Sequence, residues 1–196
     1  MGLAIGRSGR SSRFLGKKEV FDAPVVGQIA SAMGGIRVER ASGSGEPLRA
    51  AAEALEAGEL VTVSPQGTIP RGRAFFEPVL KGRWGAARLH QMTGAPVVPI
   101  GLWGTEVVWP RSSRLPKVLN LANPPTVRIR IGPAVPGLKR KSLDADTKRI
   151  MKAITAQLPE EARRPRPPSD EELLATFPPG YAGDPDGESD RRPGTD

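Results

Sequence analysis

Leu60-Val61-Thr62-Val63 runs directly into Ser64-Pro65-Gln66-Gly67-Thr68-Ile69-Pro70-Arg71-Gly72. The first four residues, β-branched or apolar, read as a short buried strand, and the chain then breaks into Pro, Gly, hydroxyl and Arg. Open α/β sheets collect their ligands in loops of this kind, at the carboxyl ends of strands. Backbone amides, the Thr68 hydroxyl and the Arg71 guanidinium together suit an anion such as a phosphate ester. A glycine in a turn also has a plainer use, which is to adopt a backbone conformation that other residues resist. The loop by itself leaves both uses open.

Upstream of it, residues 47–57 have Pro at the start, an Ala-rich interior and Gly58 at the end, the marks of a helix. Residues 36–39 are expected to form a short strand ending at Arg40. Residues 24–33 space Val25, Val26, Ile29 and Met33 for a helix that Gly34-Gly35 stops. Downstream, a helix is expected over residues 83–92, then a nearly all-apolar strand over 96–102 with both faces covered. Residues 126–131 alternate Val127, Ile129 and Ile131 with Arg128 and Arg130, the pattern of a half-exposed strand. A last helix over 144–158 lines up Ile150, Met151, Ile154 and Leu158. Strands alternating with helices predict an α/β fold with a mixed, largely parallel sheet flanked by helices. The expected organisation is one α/β domain over residues 1–162. A Pro/Gly-rich, mostly disordered tail over 163–196 follows, with a short helical turn at 171–175.

The 196 residues include no Cys and one His. Disulfides and a thiolate nucleophile are therefore excluded, a reducing cytoplasm is compatible, and zinc or haem is not expected. No apolar run reaches the roughly 18 to 20 residues that cross a bilayer. The basic start of the chain lacks the apolar core of a secretory signal. The expected location is cytoplasmic, with a peripheral place on the inner face of the membrane left open. Residues 163–196 hold five Arg against eight Asp or Glu, a net of −3, so residues 1–162 hold +11 of an overall +8. A body this basic favours polyanions, phosphate-bearing metabolites or an acidic membrane surface. Nucleic acid is not expected, because basic and aromatic residues do not interleave along any one strand.

The sequence has no G-x-x-x-x-G-K loop, no G-x-G-x-x-G after a strand and no G-x-S-x-G elbow. His90 lies late in a helix, away from strand-end loops, and reads as structural. What remains is a set of cations and hydroxyls at strand ends: Arg40 after one strand, Thr68 and Arg71 after the next, Lys81 before the following helix. Neighbouring strand ends converge in a doubly wound sheet, and the planar fork of Arg matches phosphate. Trp103 and Trp109 flank residues 104–108 beyond the strand over 96–102, and one use open to them is packing against residues 111–121.

The order of blocks resembles the glycerolipid acyltransferases, above all the 1-acylglycerol-3-phosphate (lysophosphatidic acid) acyltransferases. Gly34-Gly35-Ile36-Arg37-Val38-Glu39-Arg40 looks like their second block, a Gly, an apolar strand and an acidic-Arg pair. Val63-Ser64-Pro65-Gln66-Gly67-Thr68 looks like the third, F-P-E-G-T-R, and Val97-Val98-Pro99-Ile100 like the fourth, V-P-I. The segment Phe14-Leu15-Gly16-Lys17-Lys18-Glu19-Val20-Phe21 resembles the stretch that follows their first block. The motif positions carried over are Gly35, Pro65, Gln66, Val98, Pro99 and Ile100.

The resemblance implies an acyltransferase of phospholipid biosynthesis. Its partners would be a lysophospholipid acceptor and an acyl thioester of coenzyme A or acyl carrier protein as co-substrate, with no further cofactor and no metal. Arg40, Gly67 and Thr68 would hold the acceptor phosphate, with Arg71 standing in for the block's Arg, which is Ile69 here. The block's Glu is Gln66, which keeps the shape without the charge. No H-x-x-x-x-D is present, so no catalytic residue is assigned. The expectation is a chain truncated before or within that block, lacking the first strand and helix of the family fold and inactive as it stands. The alternative is a non-catalytic protein that binds phosphate lipids or an anionic membrane surface.

Overall fold

Arg13 and Leu15 alternate with Ser12, Phe14 and Gly16 along an unforeseen strand, β1 (Ser12–Lys17), and that strand organises everything near it. The structure, a computed structural model, describes residues 12–38, 45–67, 69–77, 79, 81–113, 124–163 and 167–181. The chain divides into two compact units. One comprises Met1–Pro65, Trp84–Pro96 and Lys139–Leu143; the other comprises Gln66–Arg83, Val97–Leu138 and Asp144–Asp196. No helix among the described residues is long and apolar enough to cross a membrane.

In the first unit β1 leads through α1 (Lys18–Asp22) and α2 (Val26–Ala32) to β2 (Gly35–Val38). The chain continues through α3 (Glu46–Glu56) to β3 (Leu60–Thr62), and α4 (Gly85–Thr93) completes the unit. The sheet order is β2-β1-β3, all parallel, with Phe14 opposite both Gly35 and Thr62. Because the chain moves from β1 to one side, to β2, and then back past β1 to β3 on the other, right-handed crossovers place the connecting helices on opposite faces. Phe21 of α1 covers the face of Phe14, Gly16 and Gly35, with the two phenyl rings stacked 6.3 Å apart. On the other face, Ala51 and Ala52 of α3 and Leu89 of α4 make the buried centre, closed by Leu15, Ile36 and Val61.

The helices begin and end for local reasons. In α3, Glu46 lies in the first turn and Pro47 at the start, both favourable at a helix amino terminus. The carboxyl end of α4 is held by Arg140, whose Nε and Nη2 donate to the Gln91 carbonyl at 3.0 and 2.6 Å. Gly94 leaves that helix with φ 71°.

The helix expected over residues 24–33 is shorter, and its large residues do not face the core. Val25, Val26, Ile29 and Met33 are 53–66% exposed, while Gly27 and Ala30 are buried. Only small residues fit there: a Cβ on Gly27 would lie 2.0 Å from the Phe21 carbonyl oxygen.

In the second unit β4 (Ile100–Trp103) pairs antiparallel with β5 (Arg128–Ile131), and α5 (Thr105–Val108) follows β4. The expected fully covered strand over 96–102 is corrected: the strand starts at Ile100, and Val98 and Leu102 are exposed. Two antiparallel strands leave faces open that a many-stranded parallel sheet would cover. For the same reason β5 is exposed along its length rather than on one face. The long helix α6 (Leu143–Gln157) buries Asp146, Thr147, Ile150 and Met151, one stripe at helical spacing. The turn expected at 171–175 is a helix, α7 (Asp170–Ala175).

Candidate functional site

The order β2-β1-β3 makes the gap between β1 and β3 a topological switch point, the place where open α/β sheets bind ligands beyond the strand carboxyl ends. Lys18 follows β1 there, and Val63-Ser64-Pro65 follows β3. β2 leaves by the same edge at Val38, two residues before Arg40. β1 lies between them, so β2 and β3 are two strand spacings apart, about 10 Å, and they end at different levels: Thr62 pairs with Phe14, whereas Val38 pairs with Lys17, three residues further along. Arg40 and Thr68 themselves lie outside the described residues.

Gly35, the glycine of the second block, is a packing position. A Cβ there would lie 2.7 Å from the Phe21 ring and 2.8 Å from the Ala30 carbonyl oxygen. The strand sits close under α1 and α2 only because that atom is absent. Across the sheet, Arg13 Nε donates to Glu59 Oε2 at 2.6 Å. That hydrogen bond holds the Glu59 carboxyl below its ordinary pKa and raises Arg13 above its own.

The loop divides between the units, Pro65 ending one segment and Gln66 opening the next. Gly67 adopts φ 66°, a left-handed value that favours glycine. The side chain lying against it is Arg83, whose Cδ would be 2.8 Å from a Cβ at that position. Arg83 was not among the expected site residues. The expected cation is its neighbour Lys81, whose Nζ stands 3.9 Å from Glu77 Oε2. The run Lys81-Gly82-Arg83 offers two cations, and only packing distinguishes them.

Arg71 is half-buried in extended backbone, and its guanidinium carbon lies 5.6 Å from the centre of the Tyr181 ring. The N–H of Gly72 donates to Thr176 Oγ1 at 2.8 Å in a buried contact. The loop is thus tied to the carboxyl-terminal segment of its own unit. Elsewhere in that unit Pro99 is buried, Ile100 half-buried and Val98 exposed. Pro99 and Val97 accept the backbone N–H groups of Gly132 and Val135 at 3.0 and 2.8 Å. The V-P-I block therefore forms one side of a two-segment ladder. Trp109 is exposed, and its indole N–H donates to the Ser113 carbonyl at 3.1 Å.

His90 is structural. A carbonyl only accepts, so the 2.8 Å contact to Ala95 requires the proton on Nδ1. Its Nε2 is buried without a hydrogen-bond partner among the described residues. The ring clamps the turn after α4.

Residues 1–103 match the family model described as Acyltransferase. A Brassica napus protein named 1-acyl-sn-glycerol-3-phosphate acyltransferase BAT2, chloroplastic, is 34% identical over 108 residues, 54% of this chain and 30% of that protein. The chain thus spans about 30% of the length of the curated relative it matches. The structure is also similar to that of the 1-acyl-sn-glycerophosphate (LPA) acyltransferase PlsC from Thermotoga maritima. The TM-score is 0.46 at 23% identity, covering 76% of this chain and 59% of the other. With just over half of its residues matched by the family model, this chain belongs to the acyltransferase family.

Proposed function

We propose that the chain acts in phospholipid synthesis, and that its loop after β3 holds the phosphate of the acyl acceptor. The enzyme moves a fatty acyl group from a thioester of coenzyme A or acyl carrier protein to the free hydroxyl of 1-acylglycerol-3-phosphate or a related lysolipid. The observation carrying this reading is the third block's place: it leaves β3 at the switch-point edge of a parallel sheet. In this reading Gly67, Thr68 and Arg71 of the loop donate to the phosphate oxygens. Gln66, in place of an acid, adds no negative charge beside them.

In the transfer the acceptor hydroxyl oxygen attacks the thioester carbonyl, the carbon–sulfur bond breaks and the thiol leaves with a proton. A base must take the hydroxyl proton, and absence of one costs about 10²- to 10⁴-fold. The 196 residues contain no H-x-x-x-x-D, and His90 holds Ala95. Acceptor binding is the role that this chain's own residues support, at a membrane surface reached from the cytoplasm and favoured by its basic body.

The test uses neutral detergent micelles carrying lysophosphatidic acid or lysophosphatidylcholine, titrated into the chain and followed by tryptophan fluorescence. The expected result is saturable binding of the phosphate monoester that weakens with salt. Equal binding of both headgroups overturns the acceptor-phosphate role. Joining an upstream segment that carries H-x-x-x-x-D is expected to produce acyl transfer. A fusion that binds acyl thioester and lysolipid yet never joins them overturns the enzyme reading.

A further inference from the structure

Ser169-Asp170-Glu171-Glu172 starts α7 with a reciprocal cap. Ser169 Oγ accepts the Glu172 N–H at 3.3 Å, and Glu172 Oε2 accepts the Ser169 N–H at 2.9 Å. The helix delivers Thr176 and Phe177 to buried positions, 5% and 4% exposed. The next residues, Pro178-Pro179-Gly180-Tyr181, reverse the chain: the Tyr181 N–H donates to the Pro178 carbonyl at 3.1 Å, and Gly180 has φ 75°. Pro then Gly at the two central positions is the composition of a type II turn. The reversal stacks Tyr181 on Phe177, ring centres 4.6 Å apart. That tyrosine ring also lies near the guanidinium of Arg71, whose carbon is 5.6 Å from the ring centre.

We propose that Thr176 and Tyr181 are positioning residues for the anion site, acting through Gly72 and Arg71. The proposal rests on the anion-binding role given above to this loop. Thr176 Oγ1 accepts from Gly72 and in turn donates to the Leu173 carbonyl at 2.7 Å, so its hydroxyl is oriented by the helix behind it. That bond fixes the backbone one residue beyond Arg71. The tyrosine ring lies beside the guanidinium, whose carbon is 5.6 Å from the ring centre, and limits where the donor fork can swing. A fork whose position is restricted in advance loses less freedom when a phosphate engages it. The Pro- and Gly-rich segment after α6 therefore belongs to the site.

The test measures binding of glycerol 3-phosphate and of lysophosphatidic acid micelles to the full chain by titration calorimetry. Tyr181→Leu is expected to weaken both roughly three- to tenfold, Tyr181→Phe to retain wild-type affinity, and Thr176→Val to weaken both. The deciding comparison is a double-mutant cycle: on an Arg71→Ala background, Tyr181→Leu is expected to cost nothing further. An unchanged affinity in Tyr181→Leu, or an equal loss with and without Arg71, overturns the positioning role while leaving the acceptor-phosphate reading intact. Wild-type chain that binds neither probe overturns both. If Thr176→Val fails to fold, the Tyr181 cycle decides alone. If only the micelle-borne lipid binds, the same cycle is read with that lipid.

Discussion

The Thr176 hydroxyl accepts the backbone N–H of Gly72 at 2.8 Å, joining positions 104 residues apart in a buried contact. Thr176→Val keeps the shape and removes the acceptor, leaving a buried N–H unsatisfied. Such a loss costs about 1–3 kcal/mol. Urea unfolding is expected to show that loss with an unchanged slope. A variant as stable as wild type would mean that water replaces the hydroxyl.

Gly35→Ala is expected to destabilise the chain by about 1–3 kcal/mol, the range for overpacking. The added methyl meets the Phe21 ring at 2.7 Å and a backbone oxygen at 2.8 Å. Phe21→Leu in the same chain relieves only the ring contact, so rescue is expected to be partial. Complete rescue would show that the Ala30 carbonyl yields freely.

Val25 has φ 65° and ψ −53°, and the Val26 N–H donates to the Pro24 carbonyl at 2.7 Å. This is a γ-turn of the strained hand, occupied by a β-branched residue. Val25→Gly relieves the strain but adds freedom to the unfolded chain. The balance is expected to favour the variant by roughly 1 kcal/mol, read as a raised urea midpoint. A lowered midpoint would count against the strain.

The Arg13–Glu59 pair predicts a pH dependence with a definite sign. The folded-state pKa of Glu59 is depressed, chiefly by the Arg13 hydrogen bond. Its contribution is therefore complete above the ordinary glutamate range and is lost as pH falls through the depressed value. Arg13 is shifted upward, so its share persists until strongly alkaline pH. Glu59→Gln is expected to unfold at lower urea than wild type at pH 7, with the gap closing as pH falls below the ordinary glutamate range. A gap that is constant from pH 7 to pH 3 would show that shape rather than charge matters at this position.

Legibility in the sequence followed the range of the interactions involved. The expected helix at 47–57 is α3, and its Pro, Ala and Gly signals lie within its own few turns. The strand after it and the loop glycine with positive φ were readable for the same reason. β1 was not, because Arg13, Gly16 and Lys17 break any apolar alternation. Arg13 belongs in a strand because Glu59 meets it, and Gly16 because Phe21 packs over it. The S-x-x-E cap before Leu173-Leu174 was a usable signal in the tail, hidden by the Pro and Gly around it.

Local chemistry alone therefore determined the α/β alternation, the turn chemistry of residues 64–72 and the order of blocks that places the chain among the acyltransferases. Those properties depend on neighbours three or four residues apart, and the sequence displays such neighbours directly. Only the tertiary structure decided that β1 is the middle strand, that Arg83 lies on Gly67, and that Tyr181 lies on Arg71. Each of those depends on a partner brought close by the folded backbone, and no local pattern encodes that distance.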